Sequence, residues 1–285
     1  MATATSRTAY IRIITKTTDP QHHILQMGKN KLRKFAEMKE MSNVVECPRD
    51  ILLADGFPLK GKWRTGFFTA PNPVVLELGC GKGEYTVGLA RRNPDCNYIG
   101  IDIKGARMYS GAREALDSGI ANAAFLRTEI ELIDSFFLPG EVSEIWITFP
   151  DPQMKKVNKR LTSTRFLNSY RRIMDADGIV NLKTDSPFLF EYTRRLATLN
   201  GLEILDLSTD LHGEGRRDAT TAIKTYYESQ WLSRGKTIKY ISFRIGSGEL
   251  REPDVTDLEK DDYRAIPRFN PNEEIKPNPK YDSVS

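Results

Sequence analysis

Cysteine is scarce in this chain of 285 residues, and its three copies form no recognisable pattern. Cys47, Cys80 and Cys96 are widely spaced, odd in number and without a CxxC pair. These features argue against a disulfide framework and against the usual ligand spacing of a zinc site. They favour a reducing compartment, so we expect a cytoplasmic protein without a bound metal.

Long apolar runs are also missing. No stretch approaches the roughly 18 consecutive apolar residues of a membrane-spanning helix, so we expect no membrane partner. The N-terminus lacks the apolar centre of a secretory signal, and residues 1–18 contain no acid. This composition favours a basic arm over an organelle transit peptide. Hydrophobic residues make up 39% and charged residues 28% of the chain, which excludes disorder of the whole molecule.

Acidic residues are absent from one run, 153–172, which holds seven Lys and Arg. Residues 1–34 carry seven more against one acid. Residues 246–285 are acidic by four charges, so the net charge of +4 leaves +8 on residues 1–245. Such a body suggests a polyanionic partner, with a solvated basic surface as the alternative.

Three segments differ in composition. Residues 1–45 are predicted to form a basic N-terminal arm with one short helix, and residues 46–245 the folded domain. Residues 246–285 hold five of the fifteen prolines, many charges and few aliphatic side chains. Because this composition cannot bury a core, we predict a disordered C-terminal tail.

Strands and helices alternate within the domain, which predicts an α/β fold with a doubly wound, mostly parallel sheet and helices on both faces. Seven strands are expected, the last one antiparallel. In such sheets ligands bind outside the carboxyl ends of the strands. The predicted strands are Val74–Leu78, Asn97–Ile103, Ala123–Arg127, Glu144–Phe149, Ile179–Lys183, Leu202–Leu207 and Thr237–Ile245.

The first of these strands continues into a glycine-rich turn, Glu77-Leu-Gly79-Cys-Gly81-Lys-Gly83. Glycines let the chain turn sharply and let a ligand approach the backbone. A dinucleotide fingerprint would need Gly or Ala where Glu84 stands, so a pyrophosphate site fits poorly. A purely structural turn is the plain alternative.

Two carboxylates indicate which cofactor this turn would take. Glu77 lies on the strand itself, where an anion repels phosphate and suits a cationic ligand. Asp102 ends the next strand, where it can accept both hydroxyls of a ribose. A cationic, phosphate-free adenosine cofactor is S-adenosylmethionine, which we favour over NAD.

The fourth strand ends in Phe149-Pro-Asp151-Pro-Gln153. We expect the two prolines to fix the backbone so that Asp151 projects into the crevice; a capping Asp at a strand exit is the alternative. No aromatic residue follows the second proline, which disfavours the amino-group methylation of DNA adenine methyltransferases. The basic run follows directly at Lys155, and this order favours nucleic-acid chemistry. The residues expected to hold phosphates are Lys155, Lys156, Lys159 and Arg160.

Two further motifs are expected at the rim of the site. Lys183-Thr-Asp185 ends the fifth strand, where Asp185 is alternatively a helix N-cap. Thr225-Tyr-Tyr-Glu228 opens the penultimate helix, where an amphipathic helix start is the alternative.

Together these residues resemble the bacterial tRNA (guanine-N7-)-methyltransferases, which modify the variable-loop guanine at position 46 of tRNA. The resemblance covers roughly residues 30–245 and implies a Rossmann-like methyltransferase fold with S-adenosylmethionine and tRNA as partners. We expect a monomer or homodimer. The matching motifs, in chain order, are Glu77-Leu-Gly-Cys-Gly-Lys-Gly, Gly100-Ile-Asp-Ile-Lys, Phe149-Pro-Asp-Pro, Lys155-Lys with Lys159-Arg-Leu, Lys183-Thr-Asp and Thr225-x-x-Glu.

The resemblance also assigns roles to residues. It implies that Asp151 lies at the reaction centre. The residues implied to line the cofactor are Glu77, Gly79, Gly81, Asp102, Glu129 and Asp151. The residues implied to contact the substrate guanosine are Lys155, Asp185, Thr225 and Glu228.

The chain departs from the family pattern at three points. Gln153 stands where the family usually has Trp, Glu129 stands where Asp is more common, and the basic run is shorter and lacks His. Alternative functions are a methyltransferase acting on rRNA, a protein or a small molecule, and a non-catalytic RNA-binding protein of the same fold. An NAD oxidoreductase is disfavoured because Glu84 stands where a dinucleotide fingerprint needs Gly or Ala.

Overall fold

The computed structural model describes residues 29–215, 218 and 220–261. The chain divides into two compact units. The first comprises residues up to Ile145 together with Arg172–Ala176, and the second comprises Trp146–Arg171 and the chain from Asp177 onward. Residues 1–28 of the predicted arm and residues 262–285 of the predicted tail lie outside the described residues.

One sheet of eight strands, in the order β1-β4-β3-β2-β5-β6-β8-β7, forms the framework of the fold. The predicted α/β class is confirmed, and one strand joins the seven that were expected. The strands are β1 (Val44–Glu46), β2 (Val74–Leu78), β3 (Asn97–Asp102), β4 (Ala123–Arg127), β5 (Val142–Thr148), β6 (Met174–Thr184), β7 (Ile204–Ser208) and β8 (Lys239–Arg244).

Seven α-helices lie among the described residues. Shorter helical turns cover Trp63–Phe67, Ile130–Ser135 and Val157–Lys159. The α-helices are α1 (Lys29–Glu40), α2 (Arg49–Asp55), α3 (Glu84–Arg92), α4 (Gly105–Asp117), α5 (Thr164–Arg171), α6 (Pro187–Leu199) and α7 (Tyr226–Ser233).

In the first unit, strands β1 to β4 pair in parallel. All five residues of β2 are buried, as the continuous apolar run of a central parallel strand requires. Helix α1 packs against α4. Asn43 follows α1 and donates a hydrogen bond of 2.9 Å to the carbonyl of Ala112 in α4. Part of the predicted basic arm is therefore an ordered piece of this unit.

In the second unit, β8 pairs antiparallel with both β6 and β7. The antiparallel orientation predicted for the last strand is confirmed. Helix α6 begins at Pro187, whose missing N–H costs nothing at a helix start, and Ser186 caps it by accepting from the backbone N–H of Leu189 at 2.9 Å.

Residues 246–261, here called the strap, run along α6 from its C-cap to its N-cap. At one end, Asn200 and Arg251 exchange two hydrogen bonds of 2.7 and 2.9 Å. Along the helix, Asp257 pairs with Arg195 at 2.7 Å. At the other end, the Asp261 carboxylate accepts from the Ser186 hydroxyl and, at 3.2 Å, from the backbone N–H of Phe188.

The strap differs from the predicted disordered tail over residues 246–261. Few of its side chains are aliphatic, so composition gives no sign of a core. Its order comes instead from carboxylates that meet helix N-termini and arginines. Glu252, for example, accepts from the backbone N–H of Thr164 at 2.9 Å and from the Tyr192 hydroxyl at 2.5 Å. Such contacts depend on three-dimensional placement, which composition does not report.

Candidate active-site residues

The glycine-rich turn joins β2 to α3 in the first unit. Gly79, Gly81 and Gly83 all have positive φ, at 76°, 56° and 77°. A Cβ at Gly83 would lie 2.5 Å from Cε1 of Phe125, so glycine is required there. A Cβ at Gly79 would meet no atom within 4 Å, so the backbone at this end of the turn faces open space.

Asp102 holds this turn from the end of β3. Its carboxylate accepts from the backbone N–H of Gly81 at 3.0 Å and from that of Lys104 at 2.7 Å. The parallel register pairs Leu78 with Ile101, so the turn and Asp102 leave the sheet at the same edge. Each carboxylate oxygen keeps a second lone pair for a ligand hydroxyl.

Glu77 lies beneath the turn, with only 3% of its surface exposed. Its carboxylate accepts from the backbone N–H of Thr86 at 2.9 Å and also from the Thr86 hydroxyl. Gly83, the N-cap of α3, has no side chain to satisfy the first turn. Glu77 therefore supplies the missing cap, and its negative charge complements the helix N-terminus.

Glu129 lies two residues beyond β4, at the same edge of the parallel sheet as Asp102. The register pairs Asp102 with Arg127, the last residue of β4. Glu129 is exposed and makes no side-chain cap to the short helical turn that follows it. The structure thus places Glu77, Gly79, Gly81, Asp102 and Glu129 at one edge of the first unit.

Asp151 lies on an exposed loop of the second unit. Its Oδ1 atom accepts from the backbone N–H of Gln153 at 3.0 Å, which orients the carboxylate. Phe149 and Gln153 have φ of 49° and 47°, the only positive values among the described non-glycine residues. Two strained residues around a carboxylate are typical of functional loops.

Arg160 supports this loop from below. It is buried, donates to the carbonyls of Pro152 and Gln153 at 3.1 Å each, and lies 4.0 Å from the centre of the Tyr192 ring. A phosphate-binding role, which we predicted for Arg160 as part of the basic run, is therefore wrong. The loop forms no regular structure, so its carbonyls lack backbone N–H partners. The Arg160 guanidinium donates to them instead.

The basic run 153–172 is partly engaged in contacts within the protein. Lys155 and Lys156 are exposed. Several other members donate to partners within their own unit. These are Arg165, which donates to Asn158; Arg171, which donates to Ile245 and Gly248; and Arg172, which pairs with Asp134.

Asp185 follows β6 and is buried. Because Ser186 caps α6, the alternative interpretation of Asp185 as the N-cap is wrong. The Thr184 hydroxyl accepts from the backbone N–H of Ser186 at 3.1 Å, which tightens the turn around Asp185.

Thr225 and Glu228 form a capping box at the start of α7: the Thr225 hydroxyl accepts from the Glu228 N–H at 3.1 Å, and the Glu228 carboxylate accepts from the Thr225 N–H at 3.4 Å. Glu228 exposes none of its surface. Its Oε1 atom lies 2.9 Å from Lys183 Nζ and 2.5 Å from His212 Nε2. Direct contact with guanosine, which the resemblance implied for Glu228, does not fit this burial.

Charges in this buried group shift its pKa values. Burial lowers the pKa of Lys183 below its usual range, although Glu228 opposes this. Burial would raise the pKa of Glu228, but the Lys183 ammonium and His212 outweigh it and hold the pKa low. Burial lowers the pKa of His212. The sequence motifs gave no sign of His212, because it lies sixteen residues before its partner in an irregular segment.

Neither a metal site nor a membrane span is found in the part of the chain that the structure describes. No group of three His, Cys, Asp or Glu residues there could hold a metal ion. No helix there is long and apolar enough to cross a membrane.

A family match shows the class of protein to which this chain belongs. The sequence pattern of a family described as a putative methyltransferase matches residues 71–241, which include the glycine-rich turn, the Asp151 loop and α7. The chain is therefore a methyltransferase-family protein. Among solved structures, the 16S rRNA methyltransferase KamB is 17% identical, with 62% of this chain and 89% of that chain covered and a TM-score of 0.48.

Relatives with higher sequence identity show which methyltransferase family this is. The tRNA (guanine-N(7)-)-methyltransferase of Porphyromonas gingivalis is 56% identical over 236 residues, which cover 81% of this chain and 96% of the relative. That of Bacteroides fragilis is 55% identical over 243 residues, 85% and 96% of the two chains. That of Bacillus subtilis is 35% identical over 191 residues, 66% and 88%. This chain belongs to the tRNA (guanine-N(7)-)-methyltransferase family.

Proposed function

We propose that this protein transfers a methyl group from S-adenosylmethionine to N7 of a guanine in the variable loop of tRNA, at position 46. The observation that carries the proposal is the 56% identity to a relative of that name over 96% of the relative's length. A tRNA substrate accords with the exposed lysines beside Asp151. We also propose a cytoplasmic location for the protein.

The first unit fits the proposed methyl donor. Gly79 faces open space, Asp102 has lone pairs left for ribose hydroxyls, and Glu129 is exposed at the same edge. Glu77 acts from below, by capping α3 and holding the turn. When bound, S-adenosylmethionine supplies an electrophilic methyl group on a positively charged sulfur.

The methyl transfer requires little proton transfer by the protein. Guanine N7 carries a free lone pair at neutral pH, so no general base is needed, and the main task is orientation. As the new N–C bond forms, the guanine ring gains positive charge. An anion close to the ring stabilises that charge as it develops.

Asp151 is the proposed catalytic anion. Its carboxylate is exposed, and one of its oxygens is already fixed by the Gln153 N–H. A carboxylate held in this way loses little freedom when substrate arrives, so its electrostatic effect is available without reorganisation. The Arg160 guanidinium holds the same loop through two backbone carbonyls.

The remaining predicted substrate residues divide by exposure. Lys155 is exposed and suited to a phosphate. Asp185 lies at a strand end, 7% exposed, and is proposed to accept from the N–H groups of the guanine edge. Thr225 and Glu228 are proposed to act indirectly, because their capping box orients the first turn of α7. The basic helix α1, which includes Lys31 and Lys34, is proposed as a second tRNA contact.

Methyl transfer from radiolabelled S-adenosylmethionine to unmodified bulk tRNA tests the proposal. Borohydride and aniline cleave RNA at 7-methylguanosine, and we expect cleavage in the variable loop. Label without that cleavage would refute the base assignment. Bound cofactor without label would refute the enzyme and favour an RNA-binding protein.

The same assay tests Asp151. We expect Asp151→Asn to lower turnover by roughly 100-fold, a size typical of losing one electrostatic group. Asp117→Asn is the matched control, because Asp117 is an exposed carboxylate on α4. Equal turnover of the two variants would remove Asp151 from the mechanism.

A further inference from the structure

Tyr227 is an aromatic residue that the proposed mechanism does not yet use. It lies in the first turn of α7, between the two capping-box residues Thr225 and Glu228. In spite of its size, 42% of its surface is exposed. An exposed tyrosine on a fixed helix start is a surface that a planar ligand can meet.

Two aromatic side chains border Tyr227 without covering it. The Phe149 ring centre lies 5.5 Å away at an interplanar angle of 56°, and the Trp231 ring centre lies 5.7 Å away at 71°. Neither ring is parallel to Tyr227, so neither is stacked on it. The three rings form an aromatic group with room for one more planar partner.

This aromatic group is anchored beside two of the predicted site carboxylates, Asp151 and Asp185. Phe149 stands two residues before Asp151, and its N–H donates to the carbonyl of Lys183 at 2.8 Å. Lys183 in turn stands two residues before Asp185. The left-handed backbone of Phe149, with φ of 49°, is therefore held at the junction of the two loops that carry these acids.

The charge around Tyr227 is consistent with this placement. Burial, then the carboxylate of Asp185 and, more weakly, that of Asp151, raise the pKa of Tyr227 to about 12. The ring thus remains neutral at physiological pH, and both carboxylates act on it. A cation placed against this ring is attracted both by the π face and by the two anions.

The geometry points to Tyr227 as the residue on which the target guanine stacks, an inference that rests on the proposed function. Guanine offers a flat face to the ring and N–H donors on its edge to a carboxylate. N7-methylation makes the base a cation, so the same face favours the product and the charge that develops on the way to it. Tyr227 is then a catalytic residue that touches the reacting base.

Three variants of the full-length protein test this inference. Tyr227→Phe keeps the ring, whereas Tyr227→Leu and Tyr227→Met keep apolar volume without a π face. We expect kcat/KM on unmodified tRNA to stay within about threefold of wild type for Phe. For Leu and Met we expect a fall of about 10- to 100-fold, the size of losing one base–aromatic stack. Unchanged thermal midpoints show that α7 is intact.

A binding ratio separates stacking from a packing role. Filter binding with S-adenosylhomocysteine present gives Kd for tRNA before and after N7-methylation. Wild type and Tyr227→Phe are expected to prefer methylated tRNA by about three- to tenfold, the range of a partly desolvated cation–π contact. Tyr227→Leu and Tyr227→Met are expected to lose that preference. Loss of packing alone would weaken the binding of methylated and unmethylated tRNA equally.

The inference is overturned if Leu and Met retain kcat/KM within threefold of wild type, or if Phe falls as far as they do. Equal binding ratios in all four proteins also overturn it. Failure of the proposed function looks different, because wild type itself would then give no cleavage at 7-methylguanosine.

Discussion

The Lys183 ammonium lies 2.9 Å from the Glu228 carboxylate, and neither side chain has any exposed surface. The same ammonium donates to the carbonyls of Thr221 and Ile223 at 3.0 and 2.7 Å. This arrangement ties the end of β6 to the segment that leads into α7. The position of Tyr227 at the start of α7 depends on a buried ion pair.

Removing one partner of this pair is expected to be costly. Glu228→Gln leaves the Lys183 charge buried without its counter-ion, which typically lowers the free energy of unfolding by about 3–5 kcal/mol. Urea denaturation measures the change. Asp117→Asn, in the exposed pair with Arg113, is the matched control and should have no measurable effect. Similar midpoints for both variants would show that the buried charge is solvated by other groups.

His212 is expected to make stability depend on pH. Burial lowers its pKa in the folded protein, whereas the unfolded chain titrates near about 6.5. Below that pH the unfolded state binds more protons, so the free energy of unfolding falls as pH drops from 7.5 to 5.5. Urea denaturation at the two pH values measures the slope, and His212→Gln should flatten it. A slope retained in the variant would assign the effect to other groups.

Gly83 is expected to tolerate no side chain. In Gly83→Ala the new Cβ would lie 2.5 Å from Phe125, in addition to the cost of a positive φ. Gly119→Ala is a matched control, since Gly119 has a φ of +66° but nothing within 4 Å of an added Cβ. We expect a loss of about 1 kcal/mol for Gly119→Ala and a larger loss for Gly83→Ala. Calorimetric titration should also show weaker S-adenosylmethionine binding only for Gly83→Ala. Equal losses of stability would mean that Phe125 moves aside at no cost.

Lys155 and Lys156 are expected to contact phosphates. Lys155→Ala/Lys156→Ala should weaken tRNA binding and reduce the slope of log K against log salt by about 1.5–2, since each contact releases roughly one counterion. Arg91→Ala/Arg92→Ala removes the same charge at the end of α3 away from the glycine-rich turn, and it should leave the slope close to wild type. If both double variants reduced the salt slope equally, the tRNA would be held by non-specific electrostatic attraction.

Much of the fold could be predicted because strong local signals bound its elements. The bounds of β2 and β4 were predicted correctly from short apolar runs. Strand β1 has three residues, too few for any periodicity, and exists because β4 offers it a parallel edge. The strap was missed since its order comes from carboxylates rather than apolar residues.

The positions of several candidate site residues at strand ends could be predicted, but their exposure could not. Sequence order at strand ends placed Asp102, Asp151 and Asp185 where the structure has them. Spacing along a chain carries no information on burial, so Arg160 and Glu228 were both assigned to the ligand surface. Each is buried, because it satisfies backbone or side-chain partners from segments distant in sequence.

The strap gives the second unit an order of assembly during translation. Helices α5 and α6 leave the ribosome before Glu252 and Asp261, the residues whose carboxylates accept from their first-turn N–H groups. Until those acids emerge, the N–H groups of Thr164 and Phe188 lack these partners, although Ser186 already caps α6. A nascent chain that has completed β8 therefore lacks its final caps. The second unit reaches its finished form only when synthesis has passed residue 261.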